Sequence, residues 1–178
     1  MSDSRRKFVI VSGAPGAGKT TLAVPLATRL GFPLFCKDFI KETLTDALGD
    51  SGGDLAASRR IGGAAMELLW SLARRAPHAV LEANFRPRSA YERGKLASLD
   101  AVLVEVHCDC GPDETARRFR DRAAASAHHA AHPLKELPPD MLAEYAGPVG
   151  LGTVIAVDTR VPVDLERLIA EVSRSLSE

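Results

Sequence analysis

Gly13-Ala14-Pro15-Gly16-Ala17-Gly18-Lys19-Thr20 follows an apolar run, Phe8-Val9-Ile10-Val11, and precedes a helix-forming segment. Strand, glycine-rich loop and helix in that order are the context required by the phosphate-binding pattern G-x-x-x-x-G-K-[ST], and every position of the pattern is matched. Glycines let successive backbone N–H groups turn toward one point, while the following helix presents unpaired N–H groups and a partial positive charge. The stretch therefore predicts an anion site walled by Gly13, Ala14, Pro15, Gly16, Ala17, Gly18, Lys19, Thr20 and Thr21. Lys19 is placed to reach β- and γ-phosphates, and the Thr20 hydroxyl to take a position on Mg²⁺.

Working outward, Thr21 to Leu30 reads as a helix with Leu22, Leu26 and Leu30 on one face and Gly31 as its stop. Pro25 interrupts that pattern without a functional reason. Phe32 to Cys36 reads as a short buried strand. Asp38 then precedes Ile40, Leu44 and Leu48 at helical spacing, so it stands where a strand's carboxyl end meets a helix. It fits both a helix N-cap and a carboxylate beside the transferring phosphate. After a loop from Gly49 to Asp54, a helix runs to about Arg75 with Ile61, Ala65, Leu68, Leu69 and Leu72 on its apolar face. Gly62-Gly63 leaves its start open. Trp70 reads as a packing residue.

Ala79 to Phe85 is the third strand, and Glu82 within it needs a partner. That partner is either the water shell of a metal beside the phosphate loop or one of the nearby arginines. A helix over Ser89–Leu99 and a strand over Ala101–His107 follow. The next helix opens on Gly111-Pro112-Asp113-Glu114, with proline and acids in its first turn. Its inner stripe is Ala116, Phe119 and Ala123, and Arg118 and Arg122 fall four residues apart on one face. That spacing suits either two guanidiniums aimed at polyphosphate or a solvated, salt-bridged surface. The polar segment from Ser126 to Pro139, with His128, His129 and His132, reads as a flexible flap rather than a metal site. A fifth strand, Thr153–Val157, precedes an amphipathic helix carrying Leu165, Leu168, Ile169, Val172 and Leu176.

The 178 residues suit one domain, and Lys plus Arg balance Asp plus Glu at 23 each. A neutral chain does not favour a nucleic-acid polymer, whose binding draws mainly on phosphate neutralisation. The segment Met1 to Lys7 carries no apolar signal region, and nowhere do about 18 apolar residues run together. A cytoplasmic protein without membrane association is expected. Three cysteines, Cys36, Cys108 and Cys110, make an odd count unsuited to a disulfide framework, and Cys108-Asp109-Cys110 is too tight for the usual zinc spacing. Alternating strands and helices predict an α/β fold with a five-stranded parallel sheet covered on both faces. Ligands in such sheets bind at the strands' carboxyl ends, where the loop after β-strand one, Asp38, the Glu82–Arg88 segment and the Cys110 turn all fall.

The chain resembles the small P-loop kinases of metabolites and antibiotics, a group that includes chloramphenicol phosphotransferase, zeta-toxin-like kinases, and gluconate and shikimate kinases. The resemblance rests on Gly13–Thr20, Lys37-Asp38-Phe39-Ile40, Glu82-Ala83-Asn84-Phe85, the Arg118/Arg122 helix and Val157-Asp158-Thr159. It implies a P-loop NTPase three-layer sandwich with sheet order 2-3-1-4-5, a single kinase domain over residues 1–178, and an arginine-bearing lid over about 118–140. It also implies ATP and Mg²⁺ as cofactors and a small hydroxyl-bearing molecule as acceptor. Asp38 then matches the carboxylate that takes the acceptor's proton, and Lys19, Arg118 and Arg122 stabilise charge. Asn84, Arg86 and Arg88 become candidates for binding the acceptor, Asp158 and Thr159 lie near the adenine, and Thr20 and Glu82 serve the metal, Glu82 directly or through water. Glu82 stands where several such kinases carry Asp. The rival reading is an ATP-binding switch or interaction module with little phosphotransfer. The motifs of GTPase switches, D-x-x-G and N/T-K-x-D, are not recognisable in the chain.

Overall fold

The computed structural model describes residues 5–49, 54–125 and 128–178. Its elements are β1 (Arg6–Ser12), α1 (Lys19–Leu30), β2 (Leu34–Cys36), α2 (Lys37–Leu48), α3 (Leu55–Arg75), β3 (His78–Glu82), α4 (Ala90–Ala97), β4 (Ala101–Asp109), α5 (Pro112–Ala124), α6 (Pro139–Glu144), β5 (Thr153–Asp158) and α7 (Leu165–Ser175). The strands form one sheet in the order β2-β3-β1-β4-β5, parallel throughout. Both the order and the helix-covered faces agree with the expectation from sequence.

Strand β1 shows why an unbroken apolar run is needed at the centre of such a sheet. Successive side chains point to opposite faces, and here both faces are covered. Val9 and Val11 enter a core with Leu22 and Leu26 of α1 and Val172 of α7. Phe8 and Ile10 enter the other, with Leu69 and Trp70 of α3 and Leu96 of α4. All four strand residues are fully buried, each contributing on the order of 1.5–3 kcal/mol relative to exposure. Trp70 packs against Phe85 with ring centroids 5.8 Å apart, and its indole N–H has no hydrogen-bond partner among the described residues.

Several local expectations are revised. β2 is a three-residue edge strand, half-buried rather than buried. α2 begins at Lys37 with Cys36 as its cap residue, so Asp38 sits inside the first turn and is not an N-cap. The inner residues of α2 are Lys41 and Thr45, and Leu48 is 71 % exposed. α3 starts at Leu55, capped by the Asp54 carboxyl accepting from Ala56 N and Ala57 N, so Gly62 and Gly63 lie within it. Leu68 and Leu72 are exposed, and Trp70 and Ala73 take the inner face with Leu69. In α5 Thr115, not Ala116, is buried with Phe119 and Ala123. The loop residues Asp50 to Gly53 lie outside the described residues. No described helix is long and apolar enough to cross a membrane.

A buried polar network ties β1 and β4 to the chain entering β5. Glu105 is fully buried and accepts from Ser12 Oγ at 2.5 Å, Val149 N at 2.9 Å and Gly150 N at 2.9 Å. Removing such an acceptor strands every donor that faced it. Glu105→Ala should lower unfolding free energy by about 3 kcal/mol or more in urea denaturation. A loss under about 1 kcal/mol would show that water replaces the carboxyl group there.

Candidate active site

The phosphate loop follows β1, and its backbone explains its glycines. Gly13, Gly16 and Gly18 take φ of 131°, 95° and 83°, in the region that L side chains rarely adopt. A Cβ on Gly13 would also stand 2.3 Å from the Cys108 carbonyl oxygen, so the loop lies directly against the end of β4. α1 has no side-chain cap and no acid in its first turn. Its N-terminal N–H groups are thus left to an anion.

Lys19 is 6 % exposed, and its Nζ donates to the Ala14 carbonyl at 2.8 Å. Burial lowers its pKa, and the Glu82 and Asp38 carboxyls oppose that shift. Glu82 is 2 % exposed at the carboxyl end of β3, in register with Val11 of β1 and Cys36 of β2. It accepts from Thr20 Oγ1 at 3.2 Å and Cys36 Sγ at 2.6 Å. Among the described residues, the arginine ion pair left open by the sequence is not formed. A hydroxyl and a carboxyl meeting beside the phosphate loop are the oxygen donors suited to Mg²⁺, so these residues fit that ion.

Asp38 lies next to this cluster at the end of β2. Burial would raise its carboxyl, but the Lys37 ammonium above all, with His132 and Lys19, holds it down to about 2. Lys37 Nζ is 3.0 Å from Asp38 Oδ1. Two cavities meet here. One, of about 240 Å³, is lined by Gly16, Gly18, Lys19, Thr20, Thr21 and Glu82 among others. The second, of about 530 Å³, extends between α2, α3, α4 and α6. Both are lined by Pro15, Asp38, Asn84 and Arg122. Asn84 Oδ1 is buried without a hydrogen-bond partner among the described residues. A buried orphan acceptor on a cavity wall is suited to a ligand donor.

Arg118 and Arg122 of α5 are placed differently. Arg118 is held by Glu114 at 2.6 Å and by the Thr159 carbonyl at 3.0 Å, and it borders the smaller cavity. Arg122 borders both cavities with its guanidinium over the Phe119 ring, and it has no ion pair among the described residues. Thr159 braces the phosphate loop, donating through Oγ1 to the Ala17 carbonyl at 2.8 Å and lying 3.6 Å from where a Gly18 Cβ would stand. Asp158 is exposed, does not line the smaller cavity and pairs with Arg160 at 2.8 Å. Arg86 reaches the larger cavity but is paired with Glu92 at 3.0 Å and Glu144 at 3.8 Å. Arg88 lines neither cavity and instead donates to the Ala143 carbonyl at 2.6 Å.

Residues 128–138 are not a free flap. Residues 126 and 127 of that expected segment lie outside the described residues. His129 pairs with Asp46 at 3.2 Å, His132 Nε2 meets Glu42 at 3.0 Å, and Ala131 is 2 % exposed. His128 and His132 are not on a helix, and His128 Nε2 meets the His132 carbonyl at 2.7 Å. The sequence reading missed Lys41, Ser58, Arg59 and His132 as cavity residues. The available signal was Lys37-x-x-x-Lys41, which puts two lysines on one face of α2 immediately after the strand.

Residues 8–148 match the model of a family described as AAA domain. Among solved structures, a candidate kinase from Chloroflexus aurantiacus is 28 % identical with a TM-score of 0.83, covering 97 % of this chain and 99 % of that one. A sugar kinase from Janibacter is 22 % identical with a TM-score of 0.62 over 97 % of this chain and 95 % of its own. The APS kinase of Mycobacterium tuberculosis, solved with AMPPNP and APS, is 19 % identical with a TM-score of 0.55 over 98 % of this chain and 99 % of its own. None of the curated proteins matches the chain.

The Lys37–Asp38 pair gives a direct titration test. Because the folded value lies below the ordinary 3.8, the stabilisation it supplies is complete above that value and lost as pH falls toward 2. Carboxyl-carbon NMR should show Asp38 titrating near 2, and Lys37→Met should move it upward. An unmoved midpoint in the variant would refute the pairing.

Proposed function

The chain belongs to the AAA domain family, and we propose that it is a phosphotransferase moving the γ-phosphoryl group of Mg-ATP to a hydroxyl of a small molecule. One observation carries this reading: a phosphate-loop cavity and a larger cavity meet at Asp38, Asn84 and Arg122. The neighbours named as kinases support the same general chemistry. An acceptor in the larger cavity and a nucleotide in the smaller one would present their reacting oxygens to the same carboxyl group.

In this reading Gly13 to Thr21 bind the nucleotide phosphates through backbone N–H groups and Lys19. Thr20 and Glu82 would hold Mg²⁺, Glu82 directly or through water. When bound, that ion neutralises charge on the β- and γ-phosphoryl oxygens. Asp38 accepts a hydrogen bond from the acceptor hydroxyl and orients its oxygen. The oxygen forms a bond to the γ-phosphorus as the bond to the β–γ bridging oxygen breaks. ADP leaves with that electron pair, and the hydroxyl proton passes to Asp38 and then to water.

A carboxylate held near 2 is a weak base, so Asp38 acts first by orientation. The proton moves late, once bond formation has acidified the hydroxyl. Arg122 supplies charge at the junction of the cavities. Arg118 fastens α5 to the turn after β5, and Thr159 in that turn borders the nucleotide. The unit comprises residues 1–178, with 118–140 as its covering segment. Small hydroxyl-bearing acceptors, as in the chloramphenicol phosphotransferase-like and zeta-toxin-like kinases that the sequence resembles, fit this arrangement better than a polymer.

ADP release from Mg-ATP across a panel of sugars, nucleosides, hydroxy acids and aminoglycosides tests the proposal. At least one acceptor should stimulate release, and Asp38→Asn should reduce that turnover by roughly 10²–10⁴-fold. Nucleotide binding by the variant should change by less than about threefold. Release that no acceptor stimulates, or that Asp38→Asn leaves intact, overturns the reading.

A further inference from the structure

The larger cavity is not electrically uniform. Its α4–α6 side is neutralised, because Arg86 is shared by Glu92 and Glu144. Its α2–α3 side is not. Lys41 is 6 % exposed, yet among the described residues Nζ donates only to neutral acceptors, Ser58 Oγ at 2.7 Å and the Ala131 carbonyl at 2.7 Å. Ser58 directs its own hydroxyl to the same carbonyl at 2.9 Å. An ammonium has three donors, so one remains for the cavity that Lys41 lines.

Lys37 converges on the same place. A Cβ built on Gly62 of α3 would lie 3.8 Å from Lys41 Cε and 3.9 Å from Lys37 Nζ, so both lysines cross one glycine. Arg59 lines this wall from α3 with an exposed side chain that makes no ion pair or hydrogen bond among the described residues. The facing titratable groups are Asp38, already paired with Lys37, and His132, already bonded to Glu42. On this wall three cations thus face one lining carboxyl, Asp38, with Glu42 acting on Lys41 from outside the cavity lining. Burial and the Lys37 charge lower the Lys41 pKa to about 8, the expected response of an ammonium without a contacting anion.

Keeping a cation buried without a counter-charge is unfavourable, and a ligand anion removes that penalty. We propose that the acceptor is an anionic alcohol whose compact carboxylate or phosphate group sits among Lys37, Lys41 and Arg59 while its hydroxyl meets Asp38. This deepens the phosphotransfer reading and rests on it for the acceptor's role. It moves anion recognition away from Arg86, which is paired with Glu92 and Glu144, and from Arg88, which lines neither cavity.

The test uses full-length protein saturated with Mg-AMPPNP, so that the phosphate loop is filled. Lysine side-chain NMR then follows titration with inorganic phosphate and, separately, acetate. Saturable shifts of the Lys37 and Lys41 signals, with a dissociation constant of about 10 mM or tighter for at least one anion, are expected. In Lys41→Met, which keeps the buried volume, the Lys37 response should weaken. In Arg59→Gln, both lysines remain observable and the affinity should fall. Which anion binds distinguishes a phosphorylated acceptor from a hydroxy acid.

Kinetics supply the second arm. Acceptors are compared in pairs that differ only in the anionic group, and Lys41→Met should raise the acceptor KM by roughly ten- to hundredfold, with the ATP KM nearly unchanged. Lysine signals that neither anion moves, or turnover confined to neutral acceptors, overturn the anion site while leaving phosphotransfer intact. Saturable lysine shifts without any acceptor-stimulated ADP release uphold the anion site and remove the phosphotransfer reading.

Discussion

A buried ammonium at the start of α1 is the constraint around which the strand ends are arranged. Lys19 is almost wholly buried, and its charge is met by the Ala14 carbonyl and by the fields of Glu82 and Asp38. Those groups come from the ends of β1, β3 and β2, adjacent in the sheet although far apart in sequence. A parallel sheet aligns its carboxyl ends by construction, which is why one cation can draw on three chain segments. The same geometry requires Gly13, since the loop passes too close to β4 for a side chain.

The phosphate loop and sheet were legible because both are written in local pattern. Phe8 to Val11 needs two covered faces, and Gly13 to Thr20 needs a backbone that only glycines supply easily. α2 was misread for the opposite reason. Ile40, Leu44 and Leu48 form a plausible apolar stripe, but that helix buries Lys41 and Thr45, Lys41 on the wall of a polar cavity, and periodicity presumes an apolar interior. α3 shows a milder version: Leu68 and Leu72 are exposed while Trp70, assigned to packing, is buried.

Site residues divide along the same line. Asp38 and Asn84 stand at strand ends and could be placed once the strands were recognised. The arginines could not be ranked, because a guanidinium's role depends on partners supplied by other elements. Arg118 and Arg122 share one helix face, yet Arg118 meets Glu114 and Thr159 whereas Arg122 remains uncommitted to an ion pair among the described residues. Arg86 and Arg88 are likewise neighbours with separate attachments, one to Glu92 and one to the Ala143 carbonyl. Overall neutrality gave no hint of the local excess of positive charge, since a sum over 178 residues erases where the charges lie.

The environment of Glu82 shows how the two ends of the site are kept electrically distinct. Its carboxyl is satisfied by Thr20 and Cys36, and neither donor is a cation. The Cys36 thiol is pushed up to about 12 by burial first and by Glu82 second, so at neutral pH it stays a protonated donor. Had an arginine bonded Glu82 instead, the carboxyl would be neutralised by a fixed charge and would attract a divalent ion poorly. Neutral donors position the carboxyl without spending its charge. The α2–α3 wall presents the complementary case, a buried ammonium positioned by neutral acceptors and left with its charge intact. Both arrangements hold an ionisable group by neutral hydrogen-bond partners in adjoining cavities, Glu82 within the field of Lys19 and Lys41 within those of Asp38 and Glu42.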